Sequence, residues 1–131
     1  MTDDADSIRA LLQKVEQALD DAVYLADDGR AEAAVNRAYY AAYHAACAAL
    51  LTEGEAPNTH AGVLSRFSYH FIRTGRISED VGRVLARAET DRNRADYDAF
   101  SDFSPETADD LVTDVRRFTT SVRTLIDEQS D

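Results

Sequence analysis

Lysine and cysteine are almost missing from this sequence. Its 131 residues contain one of each, Lys14 and Cys47, and no tryptophan. A lone cysteine excludes an internal disulfide. With no CxxC pair and no Cys/His ligand spacing, a zinc-type centre is excluded too, which suits a reducing cytoplasm. No apolar run approaches the roughly 20 residues needed to cross a bilayer. The acidic opening, MTDDADSIRALL, lacks a basic segment followed by an apolar one, so no signal peptide is expected. A glycine-rich phosphate loop, a nucleophilic triad, a strand pattern, an internal repeat and a low-complexity linker are likewise absent. The expectation is a cytoplasmic protein without membrane contact, metal or cofactor, folded as one domain over 1–131 with a core that needs no staples.

Where lysine is missing, arginine stands. The chain carries 17 Asp, 8 Glu and 13 Arg, for a net charge of −11. Arginine for lysine with aspartate in excess suggests a salt-adapted proteome, since acidic net charge is a lever halophiles use. Such a charge argues against general binding to nucleic acid or membrane. The charge is uneven, however: residues 1–29 sum to −6, 30–65 to −1, 66–94 to +3 and 95–131 to −7. The positive window holds Arg66, Arg73, Arg76, Arg83, Arg87, Arg92 and Arg94. If a surface meets phosphate, the distribution points to this one.

The apolar period is helical throughout. A first helix is expected from about Asp6 to Ala26, carrying Ile8, Leu11, Leu12, Val15, Leu19 and Val23, and ended by Gly29. A second, from about Arg30 to Leu51, is rich in alanine and tyrosine and ends before Gly54 and Pro57. Asn58 or Thr59 caps a third, about His60 to Arg73, stopped by Gly75. Ser78 caps a fourth that starts with Glu79 and Asp80 and runs to about Ala95. Residues 96–104 read as a loop, and Ser104-Pro105-Glu106 starts a fifth helix with Leu111, Val115, Phe118, Val122, Leu125 and Ile126 on its stripe. The fold class is all-α, an antiparallel bundle of four to five helices.

Two segments interrupt the apolar stripes. Asn36-Arg37-Ala38-Tyr39-Tyr40-Ala41-Ala42-Tyr43-His44 lies within the second helix, and Arg92-Asn93-Arg94-Ala95-Asp96-Tyr97 closes the fourth. Extending the stripe Val81, Leu85, Ala88 lands on Arg92, so a guanidinium faces inward, where an unpaired charge is costly. It either pairs with Asp96 or a terminal carbonyl or is held in a cleft for phosphate, which its planar fork suits. On the second helix Asn36, Tyr40, His44 and Cys47 share a face, with Arg37 beside them; His44 is either a satisfied core histidine or part of that cleft. His60 reads as structural, and His70 lies beside Arg66 and Arg73 on the positive surface. The excess of small and apolar residues on the second helix suggests a homodimer.

These residues occur in a familiar order: Asn36 to Ala42, then Pro57-Asn58-Thr59-His60, then Phe71 with Thr74-Gly75-Arg76-Ile77, then Arg92 followed by Ala95-Asp96-Tyr97. Over about residues 30–100 the chain resembles the small single-domain HEPN proteins (higher eukaryote and prokaryote nucleotide-binding). The resemblance implies a four-to-five-helix bundle that homodimerises and is often paired with a small nucleotidyltransferase, the MNT partner, in a toxin–antitoxin system. Active members are metal-independent ribonucleases with an arginine, four to six intervening residues, and then a histidine. The histidine acts on a ribose 2′-OH while arginine stabilises the scissile phosphate. Here Arg92 is followed after four residues by Tyr97, a poor base near neutrality; an Arg-x6-His spacing exists instead at Arg37 and His44. The candidate catalytic residues are thus Arg92, Tyr97 and His44, and the candidate RNA- or nucleotide-binding residues Asn36, Arg37, Tyr40, Arg87, Arg94 and Asp96. Three functions stay open: an RNA-cleaving toxin component, a non-catalytic module binding a nucleotidyltransferase or a nucleotide, and a helical adaptor. In the second, the resemblance makes Tyr97 a candidate acceptor for an AMP attached by the partner enzyme.

Overall fold

The structure, a computed structural model, describes residues 4–129; the ends of the expected domain, 1–3 and 130–131, lie outside the described residues. Five α-helices follow in order: α1 (Asp4–Asp27), α2 (Ala31–Leu51), α3 (His60–Phe67), α4 (Glu79–Tyr97) and α5 (Pro105–Gln129). Among the described residues there is no strand, and no helix is long and apolar enough to cross a membrane. The expected all-α bundle is what is found.

Each helix starts and stops for a local reason. Gly29, at φ +77°, closes α1: its N–H bonds to Ala26 O at 3.1 Å, and the Arg30 N–H reaches back to Leu25 O at 2.8 Å. That pair of bonds satisfies two carbonyls that the helix end would otherwise orphan. Thr59 Oγ1 accepts from the Gly62 N–H at 2.9 Å and Ser104 Oγ from the Thr107 N–H at 3.1 Å, so α3 and α5 begin where a hydroxyl caps them. Ser78 does the same for α4 through the Val81 N–H, with Glu79 and Asp80 in the favourable first turn.

Helix α2 is the axis of the molecule. It packs against α1, α4 and α5, and eleven of its residues are buried, eight of them alanine. Alanines bring the neighbouring helices close, and Tyr39 fills the wider gap. Much of the apolar character of α2 is used inside the single chain, with Tyr40, Tyr43 and Cys47 left partly exposed. A second cluster, Phe67, Phe71 and Phe118, is fully buried between α3, the turn after it and α5, with Phe67 5.1 Å from Phe71 and 5.4 Å from Phe118. Side chains buried to this degree each contribute about 1.5–3 kcal/mol.

Two boundaries differ from expectation. The helix expected to run unbroken to Arg73 changes register after Phe67 into a π-helical turn, Ser68–Ile72, in which the Arg73 N–H bonds to Ser68 O at 2.9 Å. The widened turn lays Ile72 on the bare backbone of Gly82 in α4, where a Cβ would overlap Ile72 Cγ1. And α4 continues through Asp96 and Tyr97, which had read as loop, because Asp96 is held across the bundle by Asn36. The connection that follows, 98–104, is anchored by buried Phe103 and by Ser101 Oγ, which donates to Glu32.

Candidate functional site

Where α2 and α4 cross, a guanidinium is enclosed by aromatic rings. Arg92 follows Leu85 and Ala88 on the buried stripe of α4 and is itself only 9 % exposed. Its Cζ lies 4.9 Å from the centre of the Tyr39 ring, 5.9 Å from Tyr40 and 6.0 Å from Tyr97. The ring faces supply part of the compensation a buried cation needs. The nearest carboxylate, Asp96, stands 3.8 Å from Nη1, a loose ion pair. Arg92 Nε is buried and has no hydrogen-bond partner. A buried donor left unmade costs on the order of 1–3 kcal/mol, which folding alone gives no reason to retain.

Asp96 is loose on Arg92 because it is engaged elsewhere. Asn36 Nδ2 donates to both its oxygens, at 3.0 and 3.3 Å, and Asn36 Oδ1 accepts from Arg37 Nε and Nη2 at 3.1 and 2.9 Å. Arg37 in turn lies 5.1 Å from the Tyr40 ring. The structure therefore brings six of the nine candidates together, Asn36, Arg37, Tyr40, Arg92, Asp96 and Tyr97, as one continuous network over two helices. Tyr97 closes its outer edge and is 78 % exposed.

The other three stand apart. His44 is one ring away, 6.1 Å from Tyr40, and lines a separate notch against α1. Burial, and then the charges of Lys14 and Arg37, hold its pKa below that of a free histidine. Arg87 is turned toward α5 and pairs with Asp114, with Asp91 3.7 Å away. Arg94 lies 4.0 Å from Asp91 and places its Cζ 4.9 Å over Phe103. The positive window is likewise not one basic face. Arg66 forms a two-toothed pair with Glu55 at 2.7 and 2.9 Å, His70 donates to the same carboxylate, and Arg76 pairs with Glu53.

Behind Arg92 lies a pairing of residues that the sequence names separately and does not connect. The Tyr39 hydroxyl and His60 Nδ1 are 2.6 Å apart, and His60 stacks on Tyr43 with ring centres 4.4 Å apart. Burial, with the charge of Glu89, pushes the Tyr39 pKa up, so its hydroxyl keeps its proton in the bond it shares with His60. Tyr39 thus lies under Arg92 at one face and is fixed by His60 at its tip. Only the chain topology places His60, 21 positions away, against α2; the sequence signal was three tyrosines at helical spacing and a histidine after a helix cap.

This is the setting in which the comparisons with known proteins fall. Residues 8–125 match the family model of the HEPN domain. The chain belongs to the HEPN family. It is 31 % identical over 116 residues to a UPF0332 protein of Thermotoga maritima, covering 88 % of each chain. It is 32 % identical over 123 residues to a Methanocaldococcus jannaschii protein whose name reads "Putative toxin", covering 94 % of this chain and 91 % of that one. With a UPF0332 protein of Gloeobacter violaceus the identity is 35 % over 109 residues, 82 % of this chain and 86 % of the other. Within the matched span lies Arg92, buried and with an unpartnered Nε, followed after four residues by exposed Tyr97.

Proposed function

We propose that this HEPN chain is the toxin-type member of a toxin–antitoxin pair and acts on RNA, with Arg92 as the residue that holds the phosphate. The observation that carries this is the unpartnered Nε of a guanidinium already enclosed by Tyr39, Tyr40 and Tyr97. Those rings fix its plane, and a phosphate oxygen is the acceptor the fork is shaped for. Tyr40 and exposed Tyr97 offer faces for unstacked bases, the usual way single-stranded RNA is gripped. Arg92 stabilises the charge that develops on the phosphoryl oxygens; one such donor is worth about 10²–10³ in rate. The proton carrier beside Arg92 is Tyr97; His44 lies on the other side of Tyr40, in its separate notch. Two copies of the chain, paired as the family resemblance implies, bring two such sites together.

The test is RNA cleavage by the purified protein at a salt concentration where it is folded, beside Arg92→Ala and Arg92→Lys. Cleavage lost in both variants, with sedimentation giving a dimer, supports the reading; lysine fails because it keeps the charge and loses the fork. Intact RNA with folded wild-type protein overturns it. The exposure of Tyr97 beside Arg92 favours a second reading, in which a nucleotidyltransferase partner attaches AMP to the Tyr97 hydroxyl and the chain itself is not catalytic. A mass increase of one AMP that is absent in Tyr97→Phe, after incubation with such an enzyme and ATP, distinguishes it.

A further inference from the structure

The one lysine of the chain does not stand among the arginines of the positive window. Lys14, on α1, lines a notch of about 210 Å³ against α2 together with Gln17, Ala18, Asp21, Arg37 and His44. Nine of the 13 arginines lie within 4.0 Å of a carboxylate among the described residues. Lys14 and Arg37 do not belong to that set. Arg37 spends Nε and Nη2 on the neutral amide of Asn36, which cancels none of its charge. The one carboxylate lining the notch, Asp21, accepts from Gln17 Nε2 at 3.1 Å. In a chain of net charge −11, two uncompensated cations and a half-buried imidazole thus converge on one concave space.

We propose that this notch between α1 and α2 binds a phosphoryl anion, held by Lys14, Arg37 and His44. Three donors of this kind suit a phosphoryl anion: lysine as a point charge, arginine with a spare Nη1, and an imidazole that gains a proton when an anion arrives. In the unliganded notch burial, Lys14 and Arg37 all disfavour the imidazolium; an anion among them reverses the electrostatic part of that. Binding therefore tightens as pH falls through the titration of His44. The groups facing that ring are Lys14, Gln17 and Asp21 from α1 and Arg37, Tyr40 and Tyr43 from α2. Of these only Asp21 opposes the anion.

Arg37 belongs to both places: through Asn36 and Asp96 it touches the Arg92 network, and with Lys14 and His44 it lines the notch. On the proposed action on RNA, the notch takes a backbone phosphate beside the one at Arg92. The same chemistry also suits the phosphate of a free nucleotide, and the two sources are separable by experiment.

The experiment follows the His44 imidazole by NMR in the full chain while adding, separately, inorganic phosphate, AMP and a hexaribonucleotide without terminal phosphates. A saturable rise of the His44 pKa supports the site, and Lys14→Gln is expected to weaken it about tenfold or more. A response to AMP and phosphate but not to the hexamer assigns a nucleotide; a response to the hexamer assigns RNA. Arg92→Met keeps the response, so a protein that cleaves no RNA but still binds in the notch separates this inference from the functional one. A His44 resonance unmoved by all three at millimolar concentration, or moved equally in Lys14→Gln, overturns it.

Discussion

A side chain that folding does not need is recognisable by what its removal is expected to do. Arg92 loses ring contacts if changed to methionine, each worth about 0.5–2 kcal/mol when desolvated. Methionine returns part of this through sulfur–ring contacts of about 0.3–1.5 kcal/mol. It also relieves a buried charge whose carboxylate is 3.8 Å away and a donor with no partner. Exchanging buried ionic groups for apolar ones of similar volume is often neutral or stabilising. Arg92→Met is therefore expected to melt within about 1 kcal/mol of wild type, measured by denaturant titration, while losing whatever the site does. A loss of several kcal/mol would make Arg92 a structural residue. Its burial was legible in the sequence, because the stripe Val81, Leu85, Ala88 points straight at it. The Tyr39–His60 bond was not, because no periodicity links α2 to the start of α3.

Between elements, the connection from α2 to α3 is tied down by carboxylates, Glu53 on Arg76 and Glu55 on α3 and the turn after it. Glu55 accepts from Arg66 and from His70, and chiefly the Arg66 bonds hold its pKa down at about 2, from an ordinary 4.5. A carboxyl depressed by folding stabilises the native state fully above its ordinary value and loses that contribution as pH falls from there toward 2. Glu55→Gln should thus melt below wild type at pH 7, and the gap between the two should close by about pH 2, read as a difference so that other carboxylates cancel. A gap of the same size at both ends would show that packing, not charge, ties this connection down. Sequence patterns predicted the helices, their caps and the α5 stripe, since each is set within a few residues. They missed the π turn at Ser68–Ile72 and the extension of α4 through Tyr97. Both depend on partners in other helices: Gly82 under Ile72, and Asn36 holding Asp96.

For the whole molecule the question is how a chain of net charge −11 keeps its compact form. The acid is concentrated in residues 1–29 and 95–131, and the helices in those segments, α1 and α5, pack against each other. Arg123 joins them, donating from Nη2 to Leu12 O at 3.2 Å and to Glu16 at 2.9 Å. Most of the remaining carboxylates of both helices point to solvent and repel. Most arginines of the positive window do little against this, because they are tied to carboxylates near them; Arg87 reaches α5, through Asp114. Salt acts on both terms. Raising it from 0.1 to 1 M shortens the screening length from about 10 to 3 Å, which removes repulsion between helices. The same salt weakens the exposed pairs, but each of those is worth only about 0–1 kcal/mol. Repulsion wins the comparison, so the melting temperature should rise over that range, by roughly 4 °C for each kcal/mol relieved. A flat or falling melting temperature would mean that local ion pairs, not net charge, set the stability, and would remove the physical reason for reading the composition as salt-adapted.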